Sequence, residues 1–479
     1  MKPPVSSSPR KSHDLETAVL VHVGIFFVGA TWAFGGNDPI VRQFLAVWGS
    51  FGLVLTVAGM RSVKSRSPVN WRRLGWLAPL VVFNLLVLVS CLTPNLRELH
   101  LDTGDYYAMN KVPLWTPGAA IPAHSLQALW LFDGIYLSCF NLAWIVRRRN
   151  ALRGLLLVIC ANALALAIFG TLQKLVGSTG PFFGLATVQQ PYFFASFVYH
   201  NHWGAFTILM TTACLGLTWH FVLRREGRRD LLHSPVLGAL VAILFLATTV
   251  PLSGSRSCTV LQAGLLGGAF LHGTARFIRQ RRQYKESVAL PLVGALAAVS
   301  ICIAGILYIA QDMIAARIAK TEWEFSNQAV RSGAVGRPVL YRDTWHMARD
   351  RLWFGWGMAS YPEVFEFYNS QDIGPIDHLP VRYVDAHNDW LQSLAEHGLV
   401  GTAALGLCAL VPLWTLKRHP PRSQLPKYPL VGCGIVLFYA LVEFPFGNTA
   451  VVLTWWLLFF AAVRYAELQH ASSSTPAPA

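Results

Sequence analysis

The segment Asp385-Ala386-His387-Asn388-Asp389-Trp390 closes a polar interval and runs almost directly into the apolar stretch 393–416. That junction decides the fold. The interval it closes, Asp312 to Trp390, is the one long polar stretch in a chain otherwise built of apolar runs. Those runs are about 20 residues long, the length an α-helix needs to cross roughly 30 Å of hydrocarbon. β-Barrel spans would alternate polar and apolar residues over about ten positions, and these do not. With 54% hydrophobic and 13% charged residues and a mean hydropathy of +0.43, the 479-residue chain reads as a polytopic helical membrane protein.

Working outward from the junction, spans are expected at about 18–34, 40–60, 74–92, 124–146, 151–171, 202–223, 234–252, 257–278, 288–310, 393–416, 428–446 and 449–466. The fold class is therefore all-α, with about twelve transmembrane helices and a large outward-facing loop containing short helices. The expected organisation is a cytoplasmic tail (1–17), a nine-span bundle (18–311), the loop (312–390), a three-span bundle (391–466) and a disordered tail (467–479). The start is polar and basic with no cleavage site before the first span, which reads as a retained tail. The 8 cysteines show no paired spacing and read as small buried hydrophobes.

Lys and Arg set the expected orientation. The loops 61–73, 147–153, 224–230, 276–285 and 417–427 each carry four or five basic residues, which places them and the N-terminus inside and 312–390 outside. The net charge of +15 is thus mostly a topology signal, and nucleic acid is not an expected partner. Membrane lipids are.

Arg256 is the sharpest candidate residue. Pro251-Leu252-Ser253-Gly254-Ser255-Arg256-Ser257 is a short turn between two spans, so its guanidinium lies at the apolar–polar boundary. There it offers a planar fork matched to phosphate, with serine hydroxyls and backbone N–H groups to share the anion. The plainer readings are a snorkelling anchor or an ion pair with Glu443. His387, flanked by Asp385, Asn388 and Asp389 at the outer mouth of a span, can take a proton from an attacking hydroxyl. Alternatively Asn388 or Asp389 caps the next helix and the histidine only packs. His200-Asn201-His202 opens another span; it lacks the spacing of a metal site and suits substrate hydrogen bonding. Val339 to Leu352 reads as a short amphipathic helix with Arg342, His346 and Arg349 on one face, either an anion-facing stripe or a solvated surface.

The Ser-Gly-Ser-Arg element at 253–256, Tyr341-Arg342-Asp343-Thr344-Trp345 leading to Phe354-Gly355-Trp356-Gly357, and Ala386-His387-Asn388-Asp389-Trp390-Leu391 with Glu396-His397-Gly398-Leu399-Val400-Gly401 together resemble the O-antigen ligase and polymerase superfamily. Tyr199-His200-Asn201-His202-Trp203-Gly204-Ala205 resembles the Asn-centred motif that precedes this domain. The resemblance runs best from about 199 to 401. It implies metal- and cofactor-free transfer of a glycan from an undecaprenyl-pyrophosphate carrier to an acceptor hydroxyl, with inversion, at the outer face of the bacterial inner membrane. It places the family's essential histidine on His387 and its pyrophosphate-binding arginine on Arg256, with Arg342 as a second contact. Many members have an arginine where this chain has His200, so Lys174 is the candidate substitute. Lys174, His200, Asn201, His202, His346, Arg349 and Asn388 complete the candidate substrate-binding set. The expected reaction is ligation to lipid A-core. Polymerisation, transfer to a protein hydroxyl and lipid-linked sugar transport are the alternatives, the last disfavoured because Asp133, Asn162 and Glu443 are sparse and unconnected. Subunit number is left open, a monomer included.

Overall fold

The computed structural model describes residues 9–63, 71–101, 104–187, 192–223, 235–326, 336–370 and 382–471. The expected inner loop at 224–230, most of that at 61–73 and the extreme tails lie outside the described residues. In chain order the helices are α1 (Pro9–Trp32), α2 (Pro39–Val63), α3 (Trp71–Leu74), α4 (Ala78–Ser90), α5 (Pro122–Trp144), α6 (Arg149–Leu175), α7 (His200–Leu223) and α8 (Pro235–Ser253). They continue with α9 (Arg256–Gln283), α10 (Ala289–Ser326), α11 (Gly336–Asp350), α12 (Tyr361–Val364), α13 (Asp389–Trp414), α14 (Gln424–Tyr439) and α15 (Thr449–Ala471). Among the described residues the sheet is a single antiparallel hairpin, β1 (Leu96–Leu101) with β2 (Gly104–Met109).

All twelve expected spans fall at least in part on helices, and among the described residues eight of these stretches are long and apolar enough to cross a membrane. Three of the others differ for local reasons, and α10 differs from its expected end. The apolar run of α5 is diluted by Gln127, Asp133 and Asn141; the end of α9 carries Arg276, Arg279, Arg281 and Arg282. Helix α14 has only 16 residues, and the chain turns after Tyr439 instead of staying helical to 446. Helix α10 runs on to Ser326, so the polar interval from Asp312 begins as helix and not as loop. No Gly or Pro interrupts 312–326, and Ala, Arg, Lys and Glu there favour helix, so polarity alone does not end it. The amphipathic helix expected from Val339 starts slightly earlier, at Gly336.

Two compact units are present, and neither is a continuous block of sequence. The first comprises Met1–Leu155, Gln328–Pro426 and Leu437–Ala479; the second comprises Leu156–Asn327 and Lys427–Val436. In the first, α15 is the enclosed centre, with 94% of its apolar window buried. Trp456 and Phe460 of α15 meet the Tyr136 ring of α5 edge-on at 4.7 and 5.4 Å. Lipid tails offer no hydrophobic advantage to helix association, so close packing and internal hydrogen bonds must supply it. Helices α2 and α5 do this through small residues: a Cβ on Gly49 would sit 2.7 Å from Gly134 Cα. Beside that contact, Asn141 Nδ2 donates to Gly52 O at 2.8 Å and Thr56 Oγ1 donates to Asn141 Oδ1 at 3.0 Å.

In the second unit α7 is the enclosed helix. Trp203 Nε1 donates to Thr249 Oγ1 of α8 at 3.2 Å, and Gln262 Nε2 of α9 donates to Thr211 Oγ1 at 2.8 Å.

The α2–α5 approach gives a direct test. Gly49→Leu should overpack the crossing and destabilise the first unit by about 1–3 kcal/mol. A lowered thermal midpoint of the full chain in detergent is expected, whereas Gly154→Leu, where a Cβ meets nothing within 4 Å, should leave it unchanged.

Candidate functional site

In the first unit, His387 is set by three constraints. Its backbone takes a positive φ of 51°, rare for a residue with a Cβ and costing about 1–3 kcal/mol. Tyr341 Oη from α11 donates to its carbonyl at 2.8 Å, and its ring stands edge-on to Phe444 at 4.6 Å. Directly after it, Asn388 caps α13, its side chain accepting Leu391 N at 3.0 Å. The capping reading of this segment is therefore correct for Asn388, but it leaves the imidazole out of the cap.

The imidazole is engaged elsewhere. His387 Nδ1 lies 3.2 Å from Glu443 Oε2, in the turn after α14. Glu443 is only 2% exposed, and its Oε1 receives the Arg337 guanidinium from the start of α11. Burial alone would push the Glu443 carboxyl up; His387 and Arg337 outweigh it and hold the carboxyl below its ordinary value. With a carboxylate on Nδ1, that nitrogen carries the proton and Nε2 is the basic one. Asp385, two residues before His387, is pushed up by burial, with the charges of His387 and Arg42 acting against it. Arg42 donates to Asn37 Oδ1 at 2.8 Å and to Gly447 O at 3.2 Å.

The glycine motifs buttress this site. Trp356 N donates to Ala395 O at 3.0 Å and Gly357 N to Glu396 O at 2.8 Å, where Gly398 (φ 63°, ψ −170°) breaks α13. The Glu396 carboxylate answers by accepting Tyr361 N at 3.0 Å and Ala359 N at 3.2 Å. Two segments separated in sequence, 354–357 and 396–398, thus form one backbone-bonded wedge.

Arg342, His346 and Arg349 are exposed on one face of α11, as their spacing predicts. Arg342 Nε donates to Asp343 Oδ1 at 3.0 Å and its second nitrogen to Ser370 Oγ at 2.6 Å. The arginine that reaches the His387 pair is instead Arg337, which the sequence reading did not single out. Its place directly after Gly336 at a helix start was the available signal.

In the second unit, Arg256 is the first residue of α9, behind Gly254 in a positive-φ turn (φ 80°). Asn201 is what shapes that turn: its Oδ1 accepts Ser255 Oγ at 2.5 Å, while its Nδ2 donates to Tyr199 Oη at 2.9 Å. A Cβ on Gly204 would meet Cys258 Cβ at 2.5 Å, so α7 and α9 touch there backbone to side chain. Structure therefore brings Asn201 and the Ser-Arg element together. His200 and His202 pack on Tyr199 at 4.7 and 5.0 Å, and Lys174 Nζ lies 4.1 Å over the Phe193 ring. Among the described residues no group of three or more His, Cys, Asp or Glu is arranged to hold a metal.

The long apolar helices mark a polytopic membrane protein, with a histidine–carboxylate pair in the first unit and a turn-borne arginine in the second. Residues 240–406 match the family described as O-antigen ligase. Over that stretch the match supports a likeness to the O-antigen ligase and polymerase superfamily. The matched stretch contains Arg256, Arg337, Arg342, His346, Arg349, His387 and Asn388; Lys174 and His200 to His202 precede it. No curated protein matches the chain.

The Glu443 carboxylate has a signed pH consequence. Its folded value is depressed, so its contribution is full above the unfolded glutamate value of ~4.3 and is lost as pH falls through the lower folded value. Wild-type stability should fall on that acid limb, while Glu443→Gln should be less stable at pH 7 and show a flatter acid limb in thermal melts.

Proposed function

We propose that the protein transfers a glycan from an undecaprenyl-pyrophosphate carrier to an acceptor hydroxyl at the outer face of the bacterial inner membrane, as an O-antigen ligase. The observation that carries this reading is Glu443 on His387 Nδ1, which leaves Nε2 as the base for the acceptor hydroxyl. The oxygen so activated attacks the anomeric carbon, the bond to the pyrophosphate oxygen breaks with inversion, and the carrier leaves as its pyrophosphate. Charge develops on that leaving group, and Arg256, in its Asn201-braced turn, is the guanidinium assigned to it, with Arg342 as a peripheral contact. The glycosyl-pyrophosphate linkage supplies the driving force, so no nucleotide is required. Twelve spans, with the basic loops inside and the segment joining α10 to α13 outside, complete the reading.

Four measurements test it. In single-turnover transfer with purified protein in nanodiscs, His387→Gln should lose roughly 10²–10⁴-fold in rate while donor binding stays near normal. Turnover within a few-fold of wild type would sink the base role. Arg256→Ala should weaken donor binding and transfer, with Arg256→Lys restoring only part because the fork geometry is lost; full activity of Arg256→Ala removes it from the site. For orientation, Leu114→Cys, in a chain whose exposed Cys302 is changed to Ser, should react with a membrane-impermeant thiol reagent in outer-membrane-permeabilised cells. Glu286→Cys should react only after the inner membrane is ruptured, and the reverse pattern would overturn the topology. Gene deletion separates ligase from polymerase: polymeric but unattached glycan marks a ligase, single attached repeats a polymerase.

A further inference from the structure

We infer that the hairpin β1–β2 and the start of α5 form a saccharide subsite, lying beside the His387 segment in the same unit. This rests on the glycan-transfer reading and adds to it a place where a sugar ring is held. A hollow of about 240 Å³ is lined by Leu96, Glu98, Tyr107, Ala120, Ile121 and Pro122. It is smaller than the ~300–1,000 Å³ of drug-sized sites, which limits it to about one ring-sized group.

Its walls have the chemistry a sugar needs. Glu98 and Tyr107 are directly opposite in the hairpin register, so their side chains share one face and stand close together. The slightly positive C–H face of a pyranose suits the negative face of the Tyr107 ring, while a carboxylate accepts from the hydroxyls at the ring edge. The floor is apolar: Leu96 and Ala120 are buried in the same core cluster as Tyr361 and Ala386.

A second carboxylate lies close to the start of α5, whose first residue lines the hollow. His124, two residues beyond Pro122, has Nδ1 3.7 Å from Glu363 Oε1, and Arg382 approaches the same oxygen at 4.0 Å. Glu363 is 8% exposed, and its Oε2 has no hydrogen-bond partner among the described residues. A buried carboxylate oxygen left unsatisfied is costly unless a donor reaches it, and a sugar hydroxyl is such a donor. Arg382 also ties this corner to the reacting end, being five residues before His387 and hence at most about 17 Å from it along the chain. That is the reach of a short oligosaccharide.

The sugar could belong to the acceptor or to the donor glycan, and kinetics separates them. Full-length protein in nanodiscs is assayed for transfer with acceptor and donor varied in turn. Tyr107→Leu and Glu98→Ala should raise one KM by roughly 5- to 20-fold with kcat retained, and Tyr107→Phe should stay near wild type because the ring remains. A raised acceptor KM assigns the hollow to the acceptor; a raised donor KM assigns it to the donor. Unchanged values for both in active variants would overturn the subsite. A separate readout is saturation-transfer NMR with free core oligosaccharide and with free repeat-unit oligosaccharide. Tyr107-dependent signal from a wild type that transfers nothing would keep the subsite while sinking the ligase reading. No signal from either sugar, with unchanged KM, would sink the subsite alone.

Discussion

A carboxylate that is 2% exposed cannot stand alone in a low-dielectric setting, and Glu443 is in that position. Its two oxygens are claimed by different elements, Oε2 by His387 ahead of α13 and Oε1 by Arg337 at the head of α11. Three parts of the chain, more than a hundred residues apart at the extremes, are thereby pulled to one point. The same demand fixes the chemistry. Because the charge is satisfied from both sides it stays ionised, and because it stays ionised it sets the tautomer of the histidine.

The surroundings are arranged to keep that point rigid. Asp389 N donates to Ala440 O at 2.9 Å and its carboxylate accepts Phe446 N at 2.9 Å, so the start of α13 is stitched to both sides of the turn that carries Glu443. Trp390 Nε1 adds a bond to Leu437 O at 2.9 Å. The cost of holding His387 at φ 51° is offset by this web of backbone contacts, as is common where a side chain must be presented in one orientation.

Membrane class and helix positions were legible in the sequence because each rests on a local signal. Span length follows from bilayer thickness, and the face shared by Arg342, His346 and Arg349 follows from 3.6-residue periodicity. Asn388 as a cap was one of two readings, and the structure keeps it while pairing the His387 imidazole with Glu443 outside the cap. What was not legible depends on long-range pairing. Nothing near Glu443 announces Arg337, 106 residues earlier, and the sequence reading offered Arg256 as its partner instead. The continuation of α10 to Ser326 carries no polarity signal of its own, since a polar helix is as hydrophilic as a loop. The hairpin at 96–109 was not anticipated in the expected all-α fold.

The break in α13 at Gly398 has a consequence for how the molecule comes to be made. The carbonyls freed there, at Ala395 and Glu396, are taken by the amides of Trp356 and Gly357, not by water or by the helix itself. In hydrocarbon an open backbone carbonyl is expensive, so the first turns of this span are stable only once residues 354–357 have docked. Insertion and folding are then not separable for this helix. The settling of α13 and the docking of residues 354–357 are one coupled step, because each satisfies backbone groups the other leaves open.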